Sequence, residues 1–222
     1  MSLTVIGGNV SPFVRKVRVA LAEKGVDYEL ESVNPFSPPE GFQEISPLGK
    51  IPAFRDGDRT LADSSVICAY IERTHPSPAL YPADPYEYAR TLWFEEYMDA
   101  GFVPVAGRKV FFPLVLAPLM SGKQPDEAEP LRAAAEELPP FFDYLEGQLG
   151  ENEYFAAGQF TLADISVASP FVNLRHAGVA PDRARWPKLR GFLDRVLARP
   201  SFKACIEEES PIYGKRAALI TD

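Results

Sequence analysis

Apolar and polar positions follow two rhythms along this chain, and the change between them divides it. Leu3-Thr4-Val5-Ile6 is a short, β-branched apolar run that predicts a buried strand. Ser11-Pro12 then opens a helix in which Phe13, Val17 and Leu21 recur four residues apart, until Gly25 stops it. Tyr28 to Val33 alternates as a second strand, and a proline-rich loop through Pro35, Pro38, Pro39 and Pro47 leads to Lys50-Ile51-Pro52. Ala53-Phe54-Arg55, a turn at Asp56-Gly57-Asp58 and Thr60-Leu61-Ala62 read as a hairpin. Asp63-Ser64 cap a helix from Ser65 to Arg73, with Val66 and Tyr70, and Ile67 and Ile71, paired one turn apart.

Beyond this the period-2 pattern ends. Residues 75–86 hold Pro76, Pro78, Pro82 and Pro85 with no periodicity, which marks a linker. The expected division is an α/β domain over 1–77, a linker over 78–86 and an all-α domain over 87–222. Helices are predicted from Glu87 to about Gly101, from Glu127 to Gly147 with a bend at Pro139-Pro140, from Leu162 to Ala177 and from Trp186 to Ala198. A broken aromatic segment runs on to Met120.

Composition narrows the function. Hydrophobic residues at 46% and charged ones at 24% are those of a folded globular protein, not a disordered one. The net charge of −8 argues against a nucleic-acid partner, because phosphate backbones select for basic surfaces. The longest apolar stretch, Val110 to Met120, falls well short of the roughly 20 residues a spanning helix needs and contains Pro113 and Pro118, so no membrane partner is expected. The first residues lack a basic segment followed by an apolar one, so no export signal is read there. Cys68 and Cys205 each stand alone in a helical pattern, as buried thiols in a reducing compartment would. His75 and His176 lie a hundred residues apart and read as surface or capping residues; no metal site is expected.

Three polar sites remain as candidates. Ser11 stands where the first strand gives way to the first helix, a position that serves as an N-cap and that also welcomes an anion. A proline at Ile51-Pro52 in the cis form would let the residue before it offer its backbone to an extended peptide; a trans proline opening a strand is the plainer alternative. Asp63-Ser64 forms a third site, which taken alone is equally well a helix cap. Arg15, Lys16 and Arg18 on the first helix read as a solvated face.

In order and spacing these segments resemble a cytosolic glutathione S-transferase of the serine type, closest to tau and omega-like members. Ser11-Pro12-Phe13-Val14-Arg15-Lys16-Val17-Arg18 with Ala20-Leu21-Ala22-Glu23-Lys24-Gly25 looks like that family's first helix. Pro47-Leu48-Gly49-Lys50-Ile51-Pro52 is similar to the segment carrying its cis-proline, and Asp63-Ser64 to the acidic residue and serine that hold the γ-glutamyl end of glutathione. Gly158-Gln159-Phe160-Thr161-Leu162-Ala163-Asp164-Ile165 resembles its capping motif, with Thr161 as N-cap, Asp164 three residues on, and Phe160 and Ile165 as a hydrophobic staple.

The resemblance implies a thioredoxin-like N-terminal domain (β-α-β-β-β-α or β-α-β-α-β-β-α) followed by a helical bundle. It further implies glutathione as co-substrate without a metal, a homodimer, and a cytoplasmic setting. Ser11 would be catalytic, and Phe13, Lys50, Ile51, Pro52, Asp63 and Ser64 would hold glutathione. Members usually meet the glycyl carboxylate with a basic or amide side chain, and between Asp27 and Gly49 this chain has no Lys, Arg or His; Lys50 is the nearest candidate. An apolar electrophile site is expected among Phe102, Phe111, Phe112 and Leu116, with Tyr97 and Arg108 as polar fixtures.

The chemical task is to ionise a thiol. At a pKa of about 8.5 only a few per cent is thiolate at pH 7, and each unit of depression takes about 1.4 kcal/mol of preference for the anion. A hydroxyl donating to the sulfur beside a helix N-terminus supplies ~1.5–3 kcal/mol without losing its own proton. The expected reactions are conjugation of hydrophobic electrophiles and peroxide reduction. Thiol transfer and dehydroascorbate reduction use a cysteine where Ser11 stands, and Cys68 is poorly placed to replace it. Isomerisation of a small dienoic acid, as in zeta-like members, would need their Ser-rich first-helix motif, from which Pro12-Phe13-Val14 differ; glutathione binding without turnover is the alternative from another class.

Overall fold

The computed structural model describes residues 2–220, which fall into two compact units divided between Tyr81 and Pro82. In the first, strands β1 (Leu3–Ile6), β2 (Tyr28–Glu31), β3 (Ala53–Asp56) and β4 (Arg59–Ala62) make a mixed sheet in the order β2-β1-β3-β4. β2 runs parallel to β1, whereas β3 lies antiparallel to both β1 and β4. Every residue of central β1 is buried, while edge strand β2 alternates and turns Glu29 and Glu31 to solvent, charges that discourage a further strand. Gly57, at φ 56°, takes the left-handed position in the tight β3–β4 turn.

Helices α1 (Pro12–Glu23) and α3 (Ser64–Thr74) pack against each other beside this sheet. Between β2 and β3 the chain makes one turn of helix, α2 (Phe42–Ile45), so the order is β-α-β-α-β-β-α. The proline-rich segment is thus not wholly a loop. Phe42 is the reason, since it buries with Ile45 against Ile6, Val33 and Ala53.

Two expectations fail, one for the basic residues of α1 and one for His176. Arg15, Lys16 and Arg18 are buried, at 0%, 1% and 8% exposure, not a solvated face. Their polar ends find partners instead of water: Arg15 Nη2 donates to Val10 O (3.3 Å), Lys16 Nζ to Ser65 Oγ (3.2 Å) and Arg18 Nε to Tyr28 Oη (2.9 Å). His176 is likewise buried, with Nε2 3.0 Å from Glu209 Oε2, whereas His75 does occupy the C-cap of α3. Cys68 and Cys205 are buried thiols, as expected.

The second unit is all helical. α4 (Pro85–Glu96) continues into wider π-type winding over Tyr97–Phe102 and Pro104–Leu116 and ends as α5 (Ala117–Ser121), with a 47° bend between Pro85–Phe102 and Pro104–Ser121. Pro104 and Pro113 each remove an N–H from the ladder, which favours this irregular winding. α6 (Ala128–Glu137), α7 (Pro139–Leu149), α8 (Leu162–His176), α9 (Pro187–Leu197) and α10 (Pro200–Tyr213) follow, then a 3₁₀ turn over Gly214–Leu219. α10 gives bounds to what was read only as a helical pattern around Cys205. α8 is buried at every position but Arg175, because α4, α9, α10 and the π-type stretch surround it. Among the described residues no single helix is long and apolar enough to cross a membrane.

Candidate functional site

The sheet register brings the predicted polar positions to one edge. Ile6 pairs with Ala53 and Glu31, and Ala53 pairs with Ala62, so the ends of β1, β2 and β4 and the start of β3 share a row. Ser11 follows β1, Ile51-Pro52 precedes β3 and Asp63-Ser64 follow β4; all three therefore stand at this edge, where α1 and α3 both begin. Two helix N-termini at one edge offer unpaired N–H groups and positive potential to an anion.

Gly7 makes this convergence possible. It sits at φ 154°, and a Cβ there would meet Val14 Cγ2 at 2.6 Å and Ile51 Cβ at 3.0 Å, so only glycine lets the end of β1 approach α1 and Ile51. The Ile51-Pro52 peptide bond is cis, and so is Ser77-Pro78. Ile51 is half-buried against the Ile6–Phe42 cluster, Pro52 is buried, and Lys50 is exposed with its carbonyl accepting from Ser46 Oγ (2.7 Å).

Ser11 is the N-cap of α1 with Pro12 at the first helical position, and its Oγ accepts from Val14 N–H at 3.4 Å. Capping uses a lone pair and leaves the hydroxyl proton to donate elsewhere, so the two readings of Ser11 are compatible. Ser11 and Phe13 are both half-buried.

Asp63 caps α3 by accepting from Ser65 N–H (2.9 Å) and Val66 N–H (3.2 Å), and it does so at φ 79°, ψ 129°, a costly conformation for a non-glycine residue. Strain of this kind gathers where a backbone must present groups to a ligand. The Asp63 carboxylate is exposed at this edge, and Ser64 beside it is 3% exposed.

In the helical unit the expected electrophile residues part company. Phe102 stacks on Phe171 (5.0 Å between centroids) and Phe111 is 4% exposed, so both belong to the core. Tyr97 is half-buried among the rings of Trp93, Phe141 and Tyr144, at 5.9, 5.7 and 4.5 Å, and Arg108 is exposed. Burial, aided by the neighbouring Tyr144, pushes the Tyr97 phenol up to about 12, so it stays a hydrogen-bond donor across the physiological range.

The capping motif forms as a buried network. Asp164 Oδ2 accepts from Thr161 N–H (2.8 Å) and Thr161 Oγ1 (3.1 Å), and its Oδ1 from Phe155 N–H (2.9 Å). Burial raises the Asp164 carboxyl to about 7 against the pull of these donors. Among the described residues no group of three or more His, Cys, Asp or Glu could hold a metal ion.

Sequence reasoning passed over Gly7, Ser65 and the burial of Lys16. The GG pair before an N-cap signals a close approach, but the Lys16–Ser65 contact joins residues 49 apart and has no local trace.

Residues 6–79 match the family described as Glutathione S-transferase, N-terminal domain, and residues 102–200 match Glutathione S-transferase, C-terminal domain. A glutathione S-transferase of Hyoscyamus muticus is 32% identical over 212 residues, 93% of this chain and 99% of that protein. The structure of a glutathione S-transferase from Rhodospirillum rubrum F11 superposes with a TM-score of 0.84 at 27% identity, covering 98% of each chain. A stringent starvation protein A homolog of Pasteurella multocida is 26% identical over 94% of this chain and 92% of that protein. This chain belongs to the glutathione S-transferase family, whose members use glutathione as co-substrate.

Proposed function

We propose that this chain is a serine-type glutathione transferase, of the tau and omega-like kind, in which Ser11 holds the glutathione sulfur as thiolate. What supports the reading is the row formed by Ile6, Ala53 and Ala62, which gathers Ser11, Ile51 and Asp63-Ser64 at two helix N-termini. In this reading Ser11 donates its free hydroxyl proton to the sulfur while Val14 N–H occupies its lone pair. Ile51 offers backbone groups to the cysteinyl residue, with Phe13 and Pro52 as walls. The Asp63 carboxylate pairs with the γ-glutamyl ammonium, and Ser64, through its hydroxyl and its own backbone N–H at the start of α3, takes the carboxylate. Lys50 takes the glycyl carboxylate.

Residues 1–77 then form the glutathione domain and 87–222 the electrophile-binding domain, with Tyr97 and Arg108 at the second site. The thiolate attacks an electrophilic carbon, forming the S–C bond as the leaving group departs with its electron pair. With a peroxide it attacks one oxygen, breaking the O–O bond to leave a glutathione sulfenic acid and, once protonated, an alcohol; the thiol of a second glutathione then displaces water from that sulfur to form the disulfide. The buried thiols of Cys68 and Cys205 support a cytoplasmic setting, and family membership supports a homodimer.

A second reading is glutathione binding without turnover: the relatives include a stringent starvation protein A homolog, whose name carries no transferase activity, and a shared fold does not by itself establish turnover. Calorimetric titration with glutathione followed by a conjugation assay with an aryl halide tests both. Binding with turnover supports the transferase, binding without turnover supports the second reading, and no binding at millimolar glutathione contradicts both.

A further inference from the structure

Lys16 of α1 and Lys24, its C-cap, fasten α1 to α3 at two levels. The helices run in the same direction, since α1 leaves the end of β1, α3 leaves the end of β4, and those ends share a row. Lys16 Nζ donates to Ser65 Oγ at 3.2 Å, and farther along Lys24 Nζ pairs with Glu72 Oε2 at 2.7 Å. Lys16 to Lys24 spans about 12 Å of α1 and Ser65 to Glu72 about 10 Å of α3, so the clips agree in length and fix the axial offset of the helices.

The clips differ in their electrostatics. Lys24 also donates to the carbonyls of His75 (2.8 Å) and Pro78 (2.7 Å), at the carboxyl end of both helices, where the macrodipole favours a cation. Lys16, 1% exposed, stands at the amino-terminal turn of α3, where the macrodipole opposes it. A cation buried at that end raises the potential felt by anything bound in front of the first turn, and an anion gains from it. The contact also reaches the cap, because the N–H of Ser65 donates to Asp63 Oδ1 at 2.9 Å.

We propose that Lys16 is a positioning residue for the anionic end of the ligand at this edge: through Ser65 it sets the first turn of α3 against Ser11, and its buried charge favours the ligand carboxylate. The inference rests on the glutathione reading above.

The test is glutathione affinity by calorimetry and the KM-against-kcat split in wild type, Lys16→Met, Ser65→Ala, Ser65→Thr and Lys24→Met. Removing one buried charge at this range weakens glutathione binding about tenfold in Lys16→Met, mostly in KM. Ser65→Ala weakens it about threefold by loss of one charge-assisted bond, and Ser65→Thr restores it. Lys24→Met lowers the melting temperature and leaves affinity within about twofold, since its clip lies at the far end. Wild-type affinity in Lys16→Met and Ser65→Ala, or equal losses in Lys16→Met and Lys24→Met, overturns the proposal while the glutathione reading stands. Should Lys16→Met not fold, Ser65→Ala against Ser65→Thr decides the question alone. A wild type that does not bind glutathione overturns both.

Discussion

Ser11 Oγ receives the Val14 amide at 3.4 Å, so the residue that starts α1 keeps a hydroxyl proton to give to a ligand. Sequence alone left cap and catalyst as competitors; the geometry shows that one hydroxyl can serve both. The same economy holds at Asp63, whose carboxylate caps α3 while remaining exposed.

At Asp63 the two roles can be separated. Asn is an equally good N-cap and tolerates positive φ, so Asp63→Asn keeps stability within about 0.5 kcal/mol. It lacks the charge that pairs with an ammonium, so glutathione affinity falls about tenfold. Asp63→Ala loses both and also costs about 1–2 kcal/mol. Denaturant melts alongside calorimetry check this; unchanged affinity in Asp63→Asn removes Asp63 from the binding site.

Asp164 gives a pH dependence with a definite sign. Its folded-state value, about 7, lies above the ordinary 3.8, so the fold favours the protonated form. Its contribution is therefore fullest below about pH 4 and is lost as pH rises toward 7. Asp164→Asn removes this titration, and the stability difference between wild type and variant shrinks over that window by on the order of 3 kcal/mol. Urea melts at pH 4, 5.5 and 7 measure the difference; a gap that widens with pH contradicts the assignment.

For the second substrate, Tyr97 is the sharper probe. A phenol held protonated donates to an acceptor on the electrophile, so Tyr97→Phe lowers kcat/KM about tenfold for carbonyl or nitro electrophiles and leaves glutathione affinity unchanged. Phe111→Ala opens a cavity costing about 3–5 kcal/mol, so its effect on substrate preference must be read beside its melting curve. Equal activity of Tyr97→Phe across electrophiles with and without acceptors removes Tyr97 from that site.

What the sequence disclosed was the local part of the fold. The caps at Ser11, Asp63 and Thr161, the β3–β4 turn at Gly57 and the apolar run of β1 declare themselves within a few residues, because each is a short-range solution to backbone hydrogen bonding. Lys16 and His176 were misread because partners distant in sequence decide their burial: Ser65 for the one, Glu209 for the other. The bounds of α10, legible only as a helical pattern around Cys205, hid behind the polar run Glu207-Glu208-Glu209 and Pro211, although Glu209 is buried and Pro200 opens the helix as a first-turn proline should. The meeting of Ser11, Ile51 and Asp63 at one edge depends on strand register, which only the assembled sheet displays.

The central claim is that Ser11 holds a thiolate, and the ultraviolet thiolate absorbance of bound glutathione, titrated in wild type and Ser11→Ala, tests it most directly. One charge-assisted hydrogen bond beside a helix N-terminus lowers the wild-type thiol pKa about one to two units below the free value near 8.5. The account predicts that Ser11→Ala binds glutathione with similar affinity and returns the pKa to about 8.5, with kcat/KM at pH 7 falling at least tenfold. A depressed pKa that survives in Ser11→Ala would contradict the claim and assign the activation to the helix N-termini alone.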